Sequence, residues 1–144
     1  MIGDGPEMIR RVAAAQATLD AFKDKPLKLG ERDCVQMVAF HLRRLGHRVK
    51  LPPKGSYRTR KTAVCLLAER GHADLAAAVD ALGLEVIAPA AALVGDILQL
   101  PAVDELGALT IAMGNGRVVG YHEHAAGAVV MQPRETIRAW RVLV

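Results

Sequence analysis

The chain has 144 residues, 51% of them hydrophobic and 24% charged, with 13 Gly, 7 Pro and 2 Cys. That length suits one compact domain with its own core, and the composition excludes collagen-like, low-complexity and disordered chains as well as a disulfide framework. No apolar run reaches the ~18–20 residues of a membrane helix, and the net charge of +4 is unevenly spread.

Met1 to Arg11 carries acids and Pro6 without an apolar core segment, which predicts no signal peptide and reduced thiols in an intracellular setting. Met8, Val12, Ala15, Leu19 and Phe22 recur at helical spacing and predict one apolar stripe. Asp4 and Pro6 are start signals and Pro26 ends the run, giving an N-terminal helical unit over 1–26. After the loop Leu27 to Arg32, a second helix is expected from Asp33 to Leu45, on Val35, Val38, Ala39, Leu42 and Leu45, with Gly46 as its stop. His47 to Ser56, with Pro52, Pro53 and Gly55, reads as a loop. Thr59 to Arg70 reads as a third helix, with Cys65 packed among Ala63, Leu66 and Leu67, and Ala73 to Leu82 as a short fourth one, completing a helical part over 33–83.

From Val94 the pattern changes to β-prone runs at Asp96–Leu100, Leu109–Met113, Arg117–Tyr121, Ala128–Met131 and Ile137–Leu143. Gly114-Asn115-Gly116 between two of them is a tight-hairpin signal. Helices followed by consecutive strands predict an α+β fold, with N-terminal helices packed on a C-terminal antiparallel sheet of about five strands over 94–144. No linker or internal repeat divides the chain, so 1–144 is expected to form a single domain.

Arg43, Arg44, Arg48, Lys50, Lys54, Arg58, Arg60 and Lys61 follow one another with no acid among them, and without these eight the chain would be net acidic. Such a segment suits an acidic partner. Only Tyr57 offers an aromatic platform within it, and no finger or helix-turn-helix pattern accompanies it, so nucleic acid is not the expected partner.

Cys34 follows Asp33 at the expected start of the second helix. Free N–H groups at such an end favour thiolate over thiol and can hold an oxyanion, so the position suits a nucleophile as well as a small buried thiol. His41 lies two turns further along the helix, ~10 Å away and out of hydrogen-bond reach, and is expected at the surface or its boundary. His47 and His72 fall at helix ends or in loops. His122 and His124 follow the third expected strand and are candidates to pair with Cys34. Their spacing also puts both imidazoles on one side of an extended strand, as in a metal pair. No third ligand is evident, so neither a metal nor a cofactor is expected.

Asp33-Cys34-Val35, Val94-Gly95-Asp96-Ile97 and Ile111 through Val119, in that order and spacing, resemble the papain-like NlpC cell-wall peptidase superfamily. The chain is more closely similar to a family of small NlpC-like proteins encoded in bacteriophage and prophage tail modules. Lys54-Gly55-Ser56-Tyr57, Gly127-Ala128-Val129-Val130 and Ala139-Trp140-Arg141-Val142 extend the likeness, which runs from about Gly30 to Leu143. The resemblance implies a papain-like fold with Cys34 at the nucleophile position. It places the base on the second strand at Ala108, where the superfamily has His, and an orienting polar residue on the next strand, near His122. With Ala108 no imidazole stands there to activate the thiol or protonate a leaving amine.

Two functions follow from the resemblance. One is a tail-tip or tail assembly protein that keeps the fold without a complete triad, with phage tail proteins as partners. It would act in the bacterial host cytoplasm during assembly or at the virion tail tip. The alternative is an active cysteine peptidase that cleaves peptidoglycan peptide bridges, with Cys34 as nucleophile and His122 or His124 as base.

Overall fold

A computed structural model describes residues 6–102, 107–121 and 126–143. The helices are α1 (Glu7–Phe22), α2 (Cys34–Arg44), α3 (Arg60–Glu69) and α4 (Leu75–Asp80). The strands are β1 (Glu85–Ile87), β2 (Ile97–Leu100), β3 (Ala108–Gly114), β4 (Arg117–Tyr121), β5 (Ala128–Met131) and β6 (Arg138–Arg141). They form one antiparallel sheet in the order β1-β6-β2-β3-β4-β5. The fold is therefore α+β, with the helices mostly N-terminal and one strand more than the expected five. The additional β1 is three residues long and sits at the sheet edge with Val86 exposed, so it lacks the alternating buried positions by which a strand is recognised.

Local chemistry sets the boundaries. Asp33, Thr59 and Asp74 cap α2, α3 and α4 by accepting backbone N–H bonds from Gln36, Thr62 and Ala77. Asn115 and Gly116 both adopt positive φ, 55° and 75°, between the paired Gly114 and Arg117, which is the two-residue turn that matches strand twist.

The sheet sorts its side chains by alternation. Ile97, Leu109, Ile111, Val119 and Trp140 face the helices and join Met37, Val38 and Leu42 of α2 in the main core. Leu98, Ala112, Val118 and Ala139 form a smaller cluster on the opposite face. Trp140 is fully buried, with its indole N–H donating to Asp80 at 2.8 Å.

α1 brings Ala15, Leu19 and Phe22 of the predicted stripe to the core but not its first two members. Its buried residues are Arg11, Ala14, Ala15, Thr18 and Phe22, whereas Met8 and Val12 are exposed. The cause is an ion pair that turns Arg11 inward. Its guanidinium donates to Asp96 at 2.9 Å and to the carbonyls of Val94 and Val142, and Asp96 also accepts the N–H groups of Leu93 and Val142. Both ends of the pair are withdrawn from water, so this end of the helix orients to satisfy the charge rather than to bury Met8 and Val12.

His41 is likewise a correction, being completely buried rather than at the surface. Nε2 donates to the Gly95 carbonyl at 2.8 Å and Nδ1 faces Thr18 Oγ1 at 3.3 Å, so the ring ties α2 to α1 and to the entry of β2. Burial lowers its pKa and keeps it neutral. In the unfolded chain the imidazole takes up a proton near pH ~6.5. Protons below that pH therefore favour unfolding, and stability falls as pH drops through this window by up to ~1.4 kcal/mol per pH unit. Urea unfolding at pH 7 and pH 5 checks this: the loss between them should be smaller in His41→Gln, and an identical loss in both proteins would contradict it.

Candidate functional site

The site begins in the turn before α2. Gly30 has φ +87°, and a Cβ there would lie 2.1 Å from the Tyr57 carbonyl oxygen, so only glycine lets the 54–57 loop close against this turn. The contact is sealed by Asp33, which is buried. Its Oδ1 accepts the Gln36 N–H at 2.9 Å, and its Oδ2 accepts the Gly30 N–H at 2.9 Å and the Tyr57 hydroxyl at 2.7 Å. Burial and the Asp33 carboxylate hold the Tyr57 phenol above its ordinary pKa.

Cys34 is the first residue of α2. The residue is half-buried, but its thiol is turned into an apolar surround, and this desolvation pushes its pKa up to about 12. The neighbouring Asp33 charge adds to the rise, against smaller opposing effects from the backbone of Leu109, its own backbone and Arg60. The expectation that the helix start favours thiolate is thereby reversed. Asp33 caps the positive end of the helix and sets a negative charge beside the sulfur, so the neutral thiol prevails near pH 7.

The backbone of Leu109 reaches Cys34, which places the N-terminus of α2 against the beginning of β3. Leu109 shares the helix-facing side of β3 with Ile111, and alternation turns Ala108 to the other face. The β3 side chain beside Cys34 is thus Leu109, one register position from Ala108. Neither aliphatic group can accept a proton.

Tyr121, at the end of β4, was not singled out by sequence reasoning. Its phenol is pushed up to about 12, mainly by burial and then by Asp33, with a smaller contribution from Cys34. Its hydroxyl is buried with no hydrogen-bond partner among the described residues, and its ring meets Phe22 edge to face at 6.4 Å. The available signal was parity, since Tyr121 lies two residues beyond the core-facing Val119. His122 and His124 lie outside the described residues. Among the described residues, no three His, Cys, Asp or Glu side chains converge on a point that could hold a metal ion, and no helix is long and apolar enough to cross a membrane.

Two depressions adjoin the site. A cavity of about 240 Å³ runs between α2, α3, α4 and β3, with Cys34, Val38, Leu42, Leu67, Val79 and Leu109 among its walls. Cys65 is exposed on α3 rather than packed as expected. A wider cleft of about 700 Å³ lies on the α1 side of α2 and gathers Lys25, Arg32, Arg43, Arg44 and Lys54 around the single acid Glu31. The folded chain thus adds Lys25 and Arg32 to three cations of the basic segment.

The family described as a domain of unknown function (DUF6950) matches residues 10–142. No curated protein matches the chain.

Proposed function

The chain belongs to the DUF6950 family, a domain of unknown function; from the resemblance of its sequence motifs we propose that it is a phage tail-tip or tail assembly protein on an NlpC-like papain scaffold with an incomplete catalytic triad. The observation that carries this reading is the surround of Cys34. Its thiol is held neutral by burial and Asp33, and the β3 side chain beside it is Leu109. Among the described residues no side chain beside Cys34 can act as its base or as an acid for the leaving amine, and a thiol without such a partner is a poor nucleophile. The Asp33, Gly30 and Tyr57 contacts then serve to anchor the 54–57 loop rather than to tune a reaction.

The basic cleft supports a protein partner. Arg44, Lys54 and Lys25 are exposed around it, and an acidic face on a neighbouring tail protein would complement them. Arg44→Glu with Lys54→Glu should cut incorporation into tail particles at least tenfold while leaving thermal unfolding of the isolated chain within a few degrees of wild type. Normal incorporation of a folded double variant would reject the cleft as the docking face. Cys34→Ser should leave incorporation unchanged.

A second reading, a working cysteine peptidase acting on peptidoglycan peptides, draws on Tyr121. Its phenol lies within electrostatic reach of both Asp33 and Cys34, and His122 follows it directly in the chain. Under this reading His122→Ala or His124→Ala abolishes Cys34-dependent cleavage of muropeptides.

A further inference from the structure

We propose that the cavity beneath α3 is a binding site for an unbranched medium-chain fatty carboxylate, its chain lying along α2 and its anionic head between Lys50 and Arg70. α3 packs on the main core through Ala63, Val64, Leu66 and Leu67 but is only lightly buried. Ala63 is its one buried residue, and Leu66 and Leu67 are only half-buried although they point toward the core. Both also line the 240 Å³ cavity. Protein interiors are otherwise close-packed, so an aliphatic void of this size is a place for an apolar ligand.

The dimensions select the shape of that ligand. Along α2 the walls run from Cys34 through Val35 and Val38 to Leu42, eight residues or ~12 Å at helical rise. A narrow aliphatic trough of that length fits an extended chain better than a compact ring system.

The charges give its polarity. Cys34 lies within the influence of Arg60, at the start of α3. Arg70 caps the other end of α3, about ten residues or ~15 Å away, and Lys50 follows the end of α2. Both Lys50 and Arg70 line the cavity, are exposed, and form no ion pair among the described residues, with His72 beside them. The acid at the opposite end, Asp33, has its oxygens engaged by three donors. The Lys50 and Arg70 end thus carries two cations, whereas at the Cys34 end Asp33 and Arg60 are of opposite sign, which favours a carboxylate head at the first and a methyl tail at the second.

Calorimetric titration of the full chain with sodium octanoate and sodium decanoate, below their micelle concentrations, tests the site. Saturable one-site binding is expected, tighter for decanoate by roughly fifteenfold, as burial of two further methylenes gives. Hexadecanoate should gain nothing more, because the trough is too short. Lys50→Glu with Arg70→Glu should weaken decanoate at least tenfold while changing decanol binding less than twofold. Leu66→Trp or the milder Ala78→Leu, each shown to be folded by circular dichroism, should fill the trough and weaken both ligands. Absence of saturable binding, equal affinity for decylamine, or full affinity in both folded filling variants would overturn the proposal. So would tighter binding of dihexanoyl phosphatidylglycerol than of decanoate, since that result would assign the site to a diacyl lipid.

Discussion

Asp96→Ala should unfold roughly 10–15 °C below wild type, the largest loss expected from any single substitution away from the cysteine site. Asp96 is completely buried and accepts from Arg11, Leu93 and Val142, while Arg141 approaches it at 3.2 Å. Removing it leaves the Arg11 guanidinium uncompensated between α1 and the sheet. Breaking one side of a buried pair costs about 3–5 kcal/mol, and the Leu93 and Val142 N–H groups lose their acceptor as well. Glu7→Ala is the matching control. Glu7 touches Arg11 only at 3.9 Å from an exposed position, and such a contact contributes no more than ~1 kcal/mol. Thermal unfolding of the two variants should separate by at least ~10 °C. Near-equal melting would show that the pair is replaceable and that α1 is held by its apolar contacts instead.

In a Cys65→Ser background, which removes the exposed thiol, Cys34 should react with iodoacetamide at pH 7.5 on the order of 10³-fold more slowly than a free thiol. The reason is its thiolate fraction: with the pKa pushed up to about 12, almost no thiolate exists at that pH. The rate should climb about tenfold per pH unit up to the limit of protein stability. Asp33→Asn retains a side chain able to cap α2 and removes the charge that raises the thiol pKa, so labelling should accelerate. Leu109→His should accelerate it further by placing an imidazole on the helix face of β3, whereas Ala108→His should not, because that side chain points to the opposite face. Under the assembly reading, peptidoglycan peptide hydrolysis by wild type should stay near background, since among the described residues nothing beside Cys34 supplies the general acid–base help worth ~10²–10⁴-fold. Robust turnover that depends on Cys34, and that is lost in His122→Ala or His124→Ala, would replace the assembly reading with the peptidase one.

Much of the fold is written locally. Asp33 before Cys34, Thr59 before α3 and Asn115-Gly116 between β3 and β4 act through hydrogen bonds and φ values within a few residues of themselves. They are legible wherever they occur, as is the change from helical to strand periodicity after Val94. Cys34 at a helix start was legible for the same reason. The reactivity of Cys34 was not, because it depends on Leu109 and on solvent exclusion by elements distant in the chain. Arg11 and Asp96 stand 85 residues apart and His41 and Gly95 stand 54 apart, and no periodicity in α1 or α2 announces those partners. Ala15, Leu19 and Phe22 of the apolar stripe reach the core, but Met8 and Val12 stay exposed because the buried Arg11 guanidinium sets the rotation of that end of α1. The sequence by itself therefore determined where the elements begin, end and turn. Which polar groups are buried, which side chain meets the thiol and where a cavity remains were decided only when distant segments packed, since desolvation and hydrogen-bond satisfaction are properties of the assembled interior.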